Sequence, residues 1–158
     1  MQAQTGSQFG YRQRRGASAM VKSLAATVSL LLCGLAYAGE TPAAPNAYLY
    51  IGWPNNGEVI AAGKPFRVWF GLRDMGVAPK DVKLPNTGHH HLLIDTDLPP
   101  ADKEIPSDRN HLHFGGGETE TMIELPPGKH TLQLLMGDDK HIPHNPPIYS
   151  KKITITVR

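Results

Sequence analysis

An all-β fold, an immunoglobulin-like antiparallel β-sandwich of about seven strands, is what this sequence predicts. Three observations lead there. Residues 47–158 hold seven short segments in which apolar and polar side chains alternate with period two. Proline, glycine and asparagine cluster between those segments and turn the chain. No part of that region carries apolar residues at convincing helical spacing, so many short strands in about 110 residues suit a sandwich.

The first segment, Ala47 to Trp53, alternates and is rich in aromatic and branched residues, and Pro54-Asn55-Asn56-Gly57 turns the chain after it. Phe66 to Leu72 follows, with Phe66, Val68, Phe70 and Leu72 on one face. A long polar loop, 73–88, leads to His89-His90-His91-Leu92-Leu93-Ile94-Asp95. Period two places His90, Leu92 and Ile94 on its core face and His89, His91, Leu93 and Asp95 on the other. After a proline-rich loop comes His111 to Phe114, then Gly115-Gly116-Gly117, then Glu118 to Leu125 with Thr119, Thr121, Ile123 and Leu125 on one side. His130 to Met136 puts His130, Leu132, Leu134 and Met136 inward, and Lys151 to Val157 closes the domain.

Residues 1–38 read as a signal peptide. Arg12, Arg14, Arg15 and Lys22 precede an apolar run from Leu24 to Leu35, and Ala36-Tyr37-Ala38 is a small-x-small cleavage pattern. The run is shorter than the roughly 20 residues a membrane-spanning helix needs. Met20-Val21-Lys22-Ser23 would itself make a normal start. Residues 39–46, with Pro42 and Pro45, read as a linker, and 47–158 as a single domain. Cleavage near Ala38 would send the protein to the periplasm or outside the cell. The only cysteine, Cys33, falls in the leader, so the mature chain offers no disulfide.

Charge excludes one class of partner. The whole chain carries 16 basic and 14 acidic residues, a net +2. Without the leader's four basic residues, twelve basic remain against fourteen acidic, or −2. No basic cluster is left to follow a phosphate backbone, so no nucleic acid is expected.

All eight histidines lie between His89 and His144. In a sandwich the second, fourth and sixth strands run toward the same end. That topology brings the start of the third strand (His89), the close of the fourth (His113) and the last long loop (His141, His144) to one rim. Neutral imidazole is a common ligand of zinc and copper, so His89, His91, His113, His141 and His144 are the candidate metal ligands, with Asp95 and Asp138 as outer partners that could orient them. His90 and His130 share faces with core aliphatics and read as structural. The spacing carries no signature such as His-Glu-x-x-His, so clustering alone supports a metal.

Other chemistry is thinner. Ser107 and Ser150 are the only serines after the leader and neither sits in a nucleophile elbow. Glu118, Glu120 and Glu124 alternate along a strand face in the manner of a solvated surface. Met75, Met122 and Met136 suit core filling better than ligation of cuprous ion. Tyr48, Tyr50 and Trp69 form an aromatic set that would either stack on a sugar or partner, or lie under a loop.

Several linked motifs resemble one family. Gly88-His-His-His-Leu-Leu-Ile-Asp95, His113-Phe-Gly-Gly-Gly-Glu-Thr-Glu-Thr121, Leu125-Pro-Pro-Gly-Lys-His-Thr-Leu-Gln-Leu134 and Gly137-Asp138 with His141-Ile-Pro-His144 are similar to the bacterial exported family known as domain of unknown function 4399. The resemblance runs from about Pro54 to Val157. It brings His89, His90, His91, Asp95, His113, His130, Asp138, His141 and His144 within the family's motif positions, while Glu118 stands where glutamine would be expected. It supports an exported domain and supplies no activity.

The expectation is an exported binding protein that takes copper or zinc for carriage, sequestration or assembly, with another envelope protein as a further partner. The alternative is a structural or interaction module whose histidines brace loops without metal. An enzyme with a metal-activated water ranks behind both.

Overall fold

The computed structural model describes residues 39–158. The leader, its cleavage site, Met20 and Cys33 lie outside the described residues. The seven expected strands are present, joined by two strands of two residues each. They are β1 (Tyr48–Trp53), β2 (Val59–Ile60), β3 (Phe66–Arg73), β4 (Gly76–Val77), β5 (Thr87–Ile94), β6 (His111–Phe114), β7 (Glu120–Ile123), β8 (Gly128–Gly137) and β9 (Ile153–Val157). Among the described residues no helix is long and apolar enough to cross a membrane.

Two sheets face one another. The smaller has the order β1-β3-β7, and the larger runs β2-β9-β8-β5-β4, with β6 also paired to β5. Alternation decides which side chains meet between them. Leu49, Phe66, Val68 and Phe70 from the small sheet join Leu92, Ile94, Leu132, Leu134, Met136 and Ile155 from the large one in a single buried cluster. Each such apolar side chain contributes about 1.5–3 kcal/mol when fully buried. His90 takes the next inward position on β5 and lies against Phe70, ring centroids 5.1 Å apart.

The large sheet is also covered on its outer side. Leu93 and Leu135 form a second buried cluster with Ile105 from the segment between β5 and β6. That loop is fastened by Asn110 Nδ2, which donates to the Ile94 carbonyl at 2.8 Å, and by the Ile105 amide, which donates to the His141 carbonyl at 2.7 Å. The outward face of β5 is therefore a second interior rather than a solvated surface.

Residues 39–46, expected to be a linker, are fastened to the domain instead. The Asn145 amide donates to the Thr41 carbonyl at 2.8 Å and the Ala43 amide to the Asn145 carbonyl at 2.9 Å. A proline-containing segment rich in small residues has no alternation to reveal such docking, because its contacts run through the backbone.

Candidate metal centre

The register of β5 sets the site. His89 pairs with Gly137 and His91 with Leu135 on one side, and His91 pairs with His113 of β6 on the other. Three imidazoles thus emerge on the same outer face near one end of the sheet. Two glycines make room for them. A Cβ at Gly137 would sit 2.9 Å from His91 Nε2, and one at Gly115 would sit 2.7 Å from His113 Nε2, both too close for an ordinary residue. The fourth imidazole, His141, comes from the β8–β9 loop and adopts a left-handed backbone, φ 62°. Asp138 holds that turn: its Oδ1 accepts from the amides of Lys140 and Ile142, each at 2.9 Å, while the His141 amide donates to the Asp138 carbonyl at 3.0 Å.

The four rings are packed closely. Centroids are 4.5 Å apart for His113 and His141, 5.0 Å for His89 and His113, 5.1 Å for His89 and His141, and 4.9 Å for His89 and His91. One ring nitrogen from each of His89, His113 and His141 lies within 4.8 Å of the other two. A triangle with sides no longer than 4.8 Å has all corners within about 2.8 Å of one point, so movements of about 0.7 Å would reach metal–nitrogen bonds of about 2.0–2.1 Å.

Hydrogen bonding leaves these rings with spare nitrogens. His141 Nδ1 donates to Glu104 Oε1 at 3.2 Å, and His89 Nε2 and His91 Nε2 share one proton across 3.1 Å. His89 Nδ1, His91 Nδ1, His113 Nε2 and His141 Nε2 are buried with no protein partner. Leaving a buried polar atom unpaired costs about 1–3 kcal/mol, and four such atoms in one cluster call for an occupant. The carboxylate–imidazole pair of Glu104 and His141 is the arrangement that fixes a ligand's tautomer and leaves Nε2 as a lone pair.

His89, His91 and His113 are held in the neutral form at pH 7. Burial, helped by His113 and His141, lowers the His89 pKa to about 4 against a raising influence of Asp138. Burial and the neighbouring rings lower His91 still further, and His113 is lowered by burial, His141 and Lys80. Neutral imidazole is the form that binds a metal ion.

The remaining expected site residues fall elsewhere. His144 does not join the rings: it is fully buried, its Nε2 meets the Thr87 carbonyl at 3.1 Å, and its ring lies by Gly88, on the opposite face of β5 from His89. The loop it shares with His141 suggests proximity, but the turn lies at Asp139–Lys140 and Pro143 bridges back to Gly137. Asp95 is also displaced as an outer partner. It lies six residues along from His89, about 20 Å at strand rise, and bonds His130 Nδ1 at 2.6 Å and the Thr131 amide at 2.7 Å. Asp138 does border the cluster, acting through the loop backbone. His90 and His130 occupy bracing positions: His90 Nδ1 donates to the Glu118 carbonyl at 3.0 Å and His130 Nε2 to the Pro126 carbonyl at 2.8 Å.

Met136 is buried in the core, Met75 packs against it, and Met122 is exposed. Tyr48 and Trp69 are exposed, and Tyr48 stacks on Tyr50 with centroids 5.6 Å apart. Glu104, Ile105 and Gly137 were not foreseen. Nothing in the proline-rich loop marks Glu104, and Gly137 is signalled only by its place at the end of a strand facing His89.

Residues 68–158 match the family described as Domain of unknown function (DUF4399). The chain belongs to that family. The matched segment of this DUF4399 protein begins at Val68 and includes every imidazole of the cluster. No curated protein matches it. Among solved structures, the fibronectin(III)-like modules of Clostridium thermocellum CbhA are similar over 70% of this chain at 13% identity, with a TM-score of 0.37. This chain spans 45% of that one. The sandwich assignment rests on the two sheets themselves.

Proposed function

We propose that this protein binds a transition metal ion, copper or zinc, through His89, His113 and His141, and serves in its carriage, sequestration or assembly in the periplasm or outside the cell. The observation that carries the proposal is the convergence of three imidazole nitrogens, contributed by three separate segments, within 4.8 Å of one another. The unpartnered nitrogens and depressed pKa values support the same reading. His91 supports His89 from behind by their shared hydrogen bond. Three nitrogens and no thiolate suit zinc or copper, and the Irving–Williams order favours cupric ion over zinc at such a set.

Export rests on the leader pattern of residues 1–38, and an envelope partner follows from that compartment. The competing reading, loops braced by histidines without metal, is favoured for His90, His130 and His144 by their carbonyl and carboxylate contacts. His90 Nε2 and His144 Nδ1 are also without a protein partner, so what the bracing reading leaves unexplained is the convergence of three imidazoles from separate segments.

Titration of the metal-free protein with copper or zinc at micromolar concentration, followed by elemental analysis, tests the proposal. About one ion per chain is expected. Failure to retain near-stoichiometric metal would overturn it and leave the bracing role.

A further inference from the structure

The segment ahead of β1 touches the loop that carries the one ligand the sheet does not hold. Thr41 Oγ1 donates to Asp138 Oδ2 at 2.6 Å, while Asp138 Oδ1 binds the amides of Lys140 and Ile142, the two neighbours of His141. The Thr41 carbonyl and the Ala43 amide pair with Asn145 at the far side of the same loop. Gly39 is buried, and a Cβ there would collide with the Pro143 carbonyl. Residues 39–43 therefore run along the His141 loop from Asp138 to Asn145.

Beside the docked contacts the segment is open. Glu40, Thr41 and Pro42 border a cavity of about 570 Å³ whose facing wall includes Val82, Lys83 and Leu84. Polar contacts to one loop hold the stretch, and apolar packing begins only at Ala43 and Ala44. Residues 39–42 belong to neither buried cluster, so their release leaves the core closed.

His141 needs such a hold. A histidine at positive φ is strained by about 1–3 kcal/mol and persists where its surroundings over-determine it. We propose that Gly39–Pro42 is a clasp that governs metal retention: docked, it fixes Asp138 and so keeps His141 in the ligand set; displaced, it releases His141 and leaves the ion on His89 and His113. Thr41 and Asp138 are then positioning residues. The inference rests on the metal-binding reading above.

The test uses the full chain, with copper or zinc alone as the probe and a chromophoric chelator as competitor. Thr41→Val should weaken binding about 10-fold, the lower end of the effect of outer partners on metal affinity, and should speed metal release. Thr41→Ser should restore both. Asp95→Asn, which loosens the other end of β5, should lower the melting temperature without changing affinity. The clasp is overturned if Thr41→Val binds as the wild type does while His141→Ala binds weakly, an outcome that leaves the metal site standing. It is also overturned if Asp95→Asn weakens binding as much as Thr41→Val, since affinity would then follow general stability. If the wild type retains neither metal, the clasp falls together with the site beneath it.

Discussion

The two ends of β5 treat the same side chain in opposite ways. At the beginning, His89 and His91 are buried among other imidazoles, lose their charge, and keep nitrogens without partners. Just past the other end, Asp95 meets His130, whose two ring nitrogens both face acceptors: the Asp95 carboxylate at 2.6 Å and the Pro126 carbonyl at 2.8 Å. Both nitrogens must carry protons to satisfy both contacts, so below its raised pKa this ring is an imidazolium. Burial lowers its pKa, but the bonds to Asp95 and Pro126 and the Asp95 charge outweigh burial and raise it. The comparison separates a satisfied, charged, load-carrying histidine from a neutral, unsatisfied, available one. Burial of the ring does not make that distinction, since His89 and His130 both have little exposure; the partners do.

The largest effect should come from the available end. His89→Ala removes a ligand from the centre of the triad and should weaken copper or zinc binding more than about 100-fold, beyond the 10–100-fold typical of outer partners, as read by competition with a chelator. A decrease below tenfold would mean that His89 is not a ligand. His144→Ala should separate stability from binding. Removing a fully buried ring costs about 3 kcal/mol by analogy with large-to-small core changes, seen in denaturant melts, while metal stoichiometry should remain that of the wild type. Loss of stoichiometry would return His144 to the site.

At the satisfied end, Asp95→Asn should cost about 1–2 kcal/mol, the worth of a charge-assisted hydrogen bond reduced for partial exposure. Asparagine tolerates the positive φ of 54° at this position, so the measured loss reports the contact rather than backbone strain. Metal affinity should not change. The smallest effect is a pH dependence of the metal-free protein. Because the folded pKa of His130 is raised above its usual value near 6.5, its contribution is fully present below pH 6.5 and is lost as pH rises through the folded pKa. Urea melts across that window should show this decline, and Asp95→Asn should flatten it. An unchanged slope in the variant would remove the imidazolium from the account.

The sequence made the strand faces legible because alternation is local. The division of His90 from His89 and His91 follows from period two alone, and the structure keeps it. The gathering of His89, His113 and His141 was legible as topology, since strand direction fixes which ends meet. Four features were not. His144 was misplaced because loop geometry around Asp139–Lys140 and Pro143 has no period to read. Asp95 was read as a neighbour of the histidines because it ends their strand, yet a strand rises about 3.3 Å per residue and carries it out of reach. The docked segment ahead of β1 and the Glu104 contact depend on backbone and loop pairings between residues 37 and more than a hundred positions apart, which composition does not encode.

Anomalous diffraction from a crystal grown with zinc or copper would examine the central claim most directly. The account predicts a single peak about 2.0–2.1 Å from one nitrogen each of His89, His113 and His141, with His144 and His130 unchanged in their contacts. No peak among these rings, or a peak held by other residues, would contradict it.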